Sequence, residues 1–289
     1  MEAPETQRAV AAAIWTARTL GLQVDDAIVL QNSNKLAVRL LPCDTFARVA
    51  PLADQVAQFE IELAGRLAET QSPAAALEPR VPRRVYERDG FAVTFWTYYA
   101  AVTPDLAPAD YATALSRLHA GMRQIEITTP HFTGRVEEAA QLVANRDQTP
   151  DLTDADRALL SGMLQSLRQK IVDLGAPEQL LHGEPHPGNV LNTSAGPLFI
   201  DLETCCRGPI EFDLAHVPEA VIEHYPDVDL PLLGECRALV LAMVAAWRWD
   251  KGDQFPNGQQ WAQHFIRTLR KGPPWPSLQA LAQQLERPG

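Results

Sequence analysis

Strand-like runs crowd the first hundred residues of this chain and almost vanish after them. This segregation limits the fold more than any single motif does, because strands followed by helices point to an α+β protein rather than to alternating βαβ units. Ala27–Leu30, Leu36–Leu41, Thr45–Ala50, Val81–Tyr86 and Phe91–Tyr99 read as five strands. Polar or glycine-containing turns separate them, among them Asn32-Ser33-Asn34-Lys35 and Glu87-Arg88-Asp89-Gly90. An alanine-rich helix, Gln7–Leu20, precedes the strands. One longer helix, Ala53–Glu69, falls between the third and fourth, with Val56, Phe59, Leu63 and Leu67 on one face. The rest reads mostly as helix: Tyr111–Met122, Val136–Asn145, Asp154–Leu174, about Val217–Tyr225, Leu232–Trp249 and Gln259–Leu269. The expected organisation is a sheet lobe over residues 1–97 and a helical lobe over residues 98–289.

The helical half is interrupted once, at Leu180–Leu191, which reads LLHGEPHPGNVL. Pro185, Pro187 and Gly188 oppose a helix there. Val190-Leu191-Asn192 and Leu198-Phe199-Ile200 flank the turn cluster Thr193-Ser194-Ala195-Gly196-Pro197, the pattern of a hairpin and the only clear strands of this half. Pairing Leu191 with Leu198 sets Val190 against Phe199 and leaves Asn189 beside Ile200 and Asp201. An amide carbonyl next to a carboxylate suits Mg²⁺, which takes a few hard oxygen ligands. Glu184, in the loop before, is placed to accept a proton from an attacking hydroxyl. Other readings compete. His182 and His186 would make a zinc pair on a helix, and His182-Gly183-Glu184 is half of a zinc deaminase motif. The second half of that motif, P-C-x-x-C, is missing; the chain has only adjacent Cys205-Cys206. A plain polar loop, with Asp201 capping the next segment, explains the tripeptide alone. It does not explain the set completed by Asn189, Asp201 and Gly208-Pro209…Asp213-Leu214-Ala215.

That set resembles the catalytic core of the aminoglycoside phosphotransferase and choline kinase-like family: H-G-D-x-H-x-x-N, a hairpin, I-D-W/F-E, then G-x-P and D-L-A. The chain matches through His182, Gly183, His186, Asn189, Ile200, Asp201, Glu203, Gly208, Pro209, Asp213, Leu214 and Ala215. It departs at Glu184, where the family has aspartate. The resemblance implies a protein kinase-like two-lobe fold, with a five-stranded antiparallel sheet and one long helix in the N-lobe and a mainly helical C-lobe. It implies transfer of the γ-phosphoryl group of ATP or GTP to a small-molecule hydroxyl, with Mg²⁺ held by Asn189 and Asp201 and Glu184 as the base. His186 is the alternative base. Arg48 stands where the family has a phosphate-holding lysine, and Glu60 where it has the orienting glutamate. Ser33 and Asn34 correspond to the phosphate-covering turn, and Trp96 and Tyr98 to the segment that meets adenine. His182, His186 and Asp213 correspond to supports of the catalytic loop, as does His119 within Leu115-Ser116-Arg117-Leu118-His119. Candidate walls for the acceptor are Glu203, Glu211, Tyr225, Trp247, Trp249 and Trp261. An aminoglycoside or another antibiotic is the first acceptor implied; choline, homoserine or a sugar are alternatives, as is a nucleotide-binding regulatory protein with little transfer.

Helix geometry supports Glu60 independently. At 100° per residue it falls inside the apolar stripe, whereas Glu62 points away, and a carboxylate in such a stripe needs a partner. The formal net charge of −11 argues against nucleic acid and is compatible with a cationic small molecule. Cys43, Cys205, Cys206 and Cys236 follow no disulfide or metal spacing, which suits a reduced, cytoplasmic protein. The N-terminus is not a signal peptide, and no apolar run suggests a membrane span.

Overall fold

A computed structural model describes residues 1–33, 35–53, 56–102 and 106–286. Asn34, assigned to the phosphate-covering turn, lies outside the described residues. In chain order the elements are α1 (Ala3–Thr19), β1 (Val24–Asn32), β2 (Leu36–Pro42), β3 (Thr45–Pro51), α2 (Val56–Glu69), β4 (Tyr86–Arg88), β5 (Phe91–Thr97), α3 (Pro108–Met122), α4 (Phe132–Ala144) and α5 (Asp154–Asp173). There follow β6 (Gln179–Leu181), β7 (Val190–Thr193), β8 (Gly196–Phe199), β9 (Cys206–Gly208), α6 (Ile210–Leu214), α7 (Glu219–Ile222), α8 (Leu230–Trp247), α9 (Gly258–Lys271) and α10 (Leu278–Glu286). The fold is α+β. Residues Met1–Leu106, Ala120–Ile127 and Val190–Glu203 form one compact unit; Ala107–His119, Thr128–Asn189 and Thr204–Gly289 form the other.

The first unit is built on a five-stranded sheet of order β1-β2-β3-β5-β4, antiparallel throughout. One face is apolar because Leu36, Val38 and Leu40 alternate along β2, and Ala47 and Val49 along β3. Against it lie Ala9, Ala12, Ala13 and Ala17 of α1, whose small side chains give the helix a smooth apolar face. Arg48, between Ala47 and Val49, belongs to the opposite face. There α2 buries Ala57, Glu60, Ile61, Ala64 and Leu67, so its stripe runs through Glu60, with Val56 and Phe59 only half-buried.

The fourth strand is shorter than the sequence suggests. Only Tyr86–Arg88 is strand, and the later half of β5 meets an earlier stretch instead: Glu78 N–H donates to the Phe95 carbonyl and Thr97 N–H to that of Ala76. Pro79 and Pro82 have no N–H to offer a ladder, which breaks the expected Val81–Tyr86 run. The hairpin β7–β8 has the expected register, Val190 opposite Phe199 and Leu191 opposite Leu198. It is tied into this unit by Phe199, whose N–H donates to the Pro73 carbonyl and whose carbonyl accepts from Ala75 N–H.

In the second unit α8 is the central helix, buried along Ala238–Met243 and packed against α4, α5, α6 and α9. By length and composition it could cross a membrane, yet most of it is buried, the pattern of a core helix. Asp229 caps its start by accepting from Leu232 N–H at 3.0 Å. Two expectations fail here. The helix expected over Val217–Tyr225 shrinks to α7, bracketed by Pro218 and by Pro226, which disfavours a helical Tyr225. The hairpin is also not the only strand pair outside the sheet: β6 and β9 form an antiparallel ladder of three residues each, too short to show alternation.

Candidate functional site

In the first unit, five charged side chains from four stretches of chain converge. Arg48, on the middle strand, donates through Nη1 to Glu60 Oε1 at 2.6 Å and through Nη2 to Asp201 Oδ1 at 2.6 Å and Glu203 Oε2 at 3.2 Å. Lys35, at the end of the β1–β2 turn, bonds Glu203 Oε2 and approaches Glu60 Oε2 at 3.5 Å. Glu60 is only 2% exposed. Burial pushes its carboxyl above the usual range, while Arg48 and Lys35 pull against that. Asp201 sits just beyond β8 with a left-handed backbone, φ 65°, which aspartate tolerates better than most residues. Oxygens of Glu60, Asp201 and Glu203 lie within 4.8 Å of one another, a donor set of hard oxygens that suits Mg²⁺.

In the second unit, the loop after β6 is held from below by Asp213, which is fully buried. One of its oxygens accepts from Gly183 N–H at 2.7 Å; the other accepts from His182 N–H at 2.9 Å and meets His119 Nε2 at 2.9 Å. Burial raises the Asp213 carboxyl, but His119 and the backbone amides more than offset it and leave it below the usual carboxylate range. The other ring nitrogen of His119, Nδ1, lies 2.7 Å from the Tyr225 hydroxyl. Gly183 is required: its φ is +89°, and a Cβ there would lie 2.0 Å from the Thr204 carbonyl oxygen.

Glu184 pairs with Arg135 of α4, whose guanidinium also lies 4.9 Å from the centre of the Trp247 ring. Burial alone would raise the Glu184 carboxyl, yet the Arg135 guanidinium beside it holds it below the usual range. His216 is itself buried, which pushes its pKa down to about 4, so it is neutral at neutral pH. Asn189 is buried and donates through Nδ2 to the Glu184 carbonyl at 3.0 Å. His186 Nδ1 accepts from Gly188 N–H at 3.0 Å, a bond that shapes the turn.

The remaining candidates are scattered. Ser33 is exposed, and its N–H and hydroxyl both point to the Lys35 carbonyl. Trp96 is buried and donates to Thr94 Oγ1 at 2.9 Å; Tyr98 lies under the Arg39 guanidinium. Glu211 is buried and accepts from Asp229 N–H, and Tyr225 is taken up by His119. Trp249 is buried, while Trp261 packs against Phe255 and Phe265. The sequence reading missed Lys35 and Arg135. Lys35 carried a signal, as the cation next to an otherwise polar turn. Arg135 carried none, being a helix residue 49 positions from Glu184.

Residues 31–232 match the phosphotransferase enzyme family. No curated protein matches the sequence. Among solved structures, the chain is similar to the amicoumacin kinase hAmiN in complex with AMP-PNP, Ca²⁺ and Ami, at 12% identity and TM-score 0.72 over 98% of this chain and 100% of that one. It is similar to the choline kinase LicA from Streptococcus pneumoniae at 15% identity and TM-score 0.68, over 93% of this chain and 100% of that one. It is also similar to the GDP complex of wild-type aminoglycoside 2'-phosphotransferase-IIIa at 15% identity and TM-score 0.65, over 91% of this chain and 97% of that one. These likenesses show the fold, that of protein kinase-like small-molecule kinases.

Proposed function

This chain belongs to the phosphotransferase enzyme family and is a phosphotransferase with an alcohol group as acceptor; from that premise we propose that it is an ATP- or GTP-dependent kinase of a small molecule. The observation that carries the reading is Arg48, which bridges Glu60 to Asp201 from the middle strand of the sheet. Arg48 is then the phosphate-holding cation and Glu60 the group that orients it. Asp201 and Asn189 are the proposed magnesium ligands, with Glu203 close to Asp201. Magnesium, when bound, offsets negative charge on the transferring phosphoryl group. Glu184 orients the acceptor hydroxyl and takes its proton. A lowered carboxyl pKa keeps it ionised at neutral pH, though it weakens its basicity, so orientation is its larger contribution. Nucleotide and metal in the amicoumacin kinase complex, and GDP in the aminoglycoside enzyme, support the donor class. For the acceptor, an aminoglycoside or other antibiotic comes first and a choline-type amino alcohol second, by analogy with the amicoumacin, aminoglycoside and choline kinases of similar structure.

The competing reading is a nucleotide-binding regulatory protein. It draws on one observation, that Asp201 and Glu184 are each already paired with an arginine. An acceptor screen with labelled ATP and GTP over aminoglycosides, other antibiotics and amino alcohols separates the two. The kinase reading expects acceptor-dependent transfer that Glu184→Gln and Asp201→Asn abolish. Full transfer in both variants would sink the roles given to Glu184 and Asp201, and nucleotide binding without transfer to any acceptor would sink the kinase reading.

A further inference from the structure

Lys35 has no part in the reading above, yet it is built into the same cluster. Its carbonyl accepts from Ser33 N–H at 3.1 Å and from the Ser33 hydroxyl at 3.4 Å, which fixes the turn and sets the lysine at the foot of β2. Its side chain is only 11% exposed, unusual for lysine, and its ammonium bonds Glu203 while reaching Glu60 Oε2 at 3.5 Å. The other oxygen of Glu60 holds Arg48 at 2.6 Å. One buried carboxylate therefore aims two cations, each through a separate oxygen. Arg48 alone is heavily committed: one nitrogen to Glu60, the other shared between Asp201 and Glu203.

Three carboxylates and two cations leave this cluster one negative charge, so it is almost self-neutral without a ligand. A nucleotide polyphosphate brings anions for the cations, and a divalent cation brings charge for the carboxylates. Resting on the kinase reading, we infer that Lys35 is a second phosphate-holding cation, and that on nucleotide binding Lys35 and Arg48 exchange Glu203 and Asp201 for phosphate oxygens. Glu60 keeps both cations aimed through the exchange. An ammonium is a compact donor of three N–H groups and complements the planar fork of arginine. Two cations, one from the β1–β2 turn and one from β3, would thus share the task at a site where arginine replaces lysine.

The test is equilibrium binding, measured by calorimetry with and without Mg²⁺, of ATP, GTP, inorganic tripolyphosphate and adenosine to the wild type, Lys35→Met and Lys35→Arg. Loss of one charge-assisted hydrogen bond predicts that Lys35→Met weakens ATP and tripolyphosphate about tenfold or more. The loss should appear in EDTA as well as with Mg²⁺, adenosine affinity should be unchanged, and Lys35→Arg should recover most of it. If Lys35→Met fails to fold, Lys35→Gln, which can still donate to Glu203, replaces it with the same expectation. Wild-type polyphosphate affinity in the variant, or an equal loss for adenosine, overturns the inference while leaving the kinase reading standing. A wild type that binds neither ATP nor GTP overturns both.

Discussion

Replacing Asp213 with asparagine isolates what holds the loop that carries Glu184. The substitution keeps shape and volume, so its cost is one of hydrogen-bond polarity. One carboxylate oxygen serves Gly183 N–H, and the other serves His182 N–H and His119 Nε2. An asparagine has one oxygen and one NH₂, so in either orientation a backbone N–H faces a donor. If the NH₂ faces His182, it also faces His119 Nε2. The loss is one hydrogen bond to a charged acceptor, about 1.5–3 kcal/mol, plus a buried unpaired N–H at about 1–3 kcal/mol. The sum, about 2.5–6 kcal/mol, is a large share of the ~5–15 kcal/mol typical of a folded domain. At roughly 2–4 °C per kcal/mol for a unit of this size, the melting temperature of the second unit should fall by on the order of 10 °C. Urea titration followed by far-UV circular dichroism measures the first figure, and calorimetry the second. The pH dependence adds a sign. Asp213 has a depressed carboxyl pKa in the folded state, so its contribution is present above the unfolded value near ~3.9 and is lost as pH falls through the folded one. The gap between wild type and variant should therefore narrow only in strong acid. A cost below about 1 kcal/mol at neutral pH, or a gap already closing at pH 6, would refute the account of Asp213 as an ionised anchor.

Three further substitutions follow. Gly183→Ala forces a Cβ against the Thr204 carbonyl at a positive φ, and should cost about 3 kcal/mol or more in urea unfolding. Arg48→Met leaves Glu60 buried with Lys35 as its one cation; breaking such a pair should cost about 3 kcal/mol and weaken ATP binding, read by denaturation and calorimetry together. Arg135→Gln removes the cation that holds the Glu184 carboxyl down, so the acid limb of the kcat/KM profile should move to higher pH. An unmoved limb would mean that Glu184 does not titrate in the reaction.

What was legible in the sequence was what rests on local rules. The β7–β8 register followed from a turn cluster between two short apolar runs, and the burial of Glu60 followed from helical angle alone. The strand after α2 was misjudged because Val81–Tyr86 has the apolar residues of a strand, but Pro79 and Pro82 remove the amides a ladder needs. The β6–β9 ladder escaped because three residues carry no period. Charge partners were the least legible. Nothing in the spacing of Arg135 and Glu184, or of Lys35 and Glu203, marks them as neighbours; only the folded chain brings them together.

Those partners change how the acidic composition bears on the acceptor. A net charge of −11 suggests ready-made sites for an amine. Residue by residue, the acids proposed for the acceptor and the base are already spoken for. Glu203 is bonded to Lys35 and Arg48, Glu184 to Arg135, and Glu211 accepts a backbone amide from the first turn before α8. The Trp247 ring, which could receive a quaternary amine, has the Arg135 guanidinium 4.9 Å from its centre. A cationic acceptor that used Glu203, Glu184 or Trp247 would bind by exchange, displacing a resident cation. Its gain would be the difference between two ion pairs of similar strength, which is small. Tight recognition of an amine would then have to come from shape and from hydroxyl contacts, and an acceptor without an amine would suffer little penalty. The pairing pattern, rather than the net charge, is the sounder guide in choosing which hydroxyl compounds to screen first.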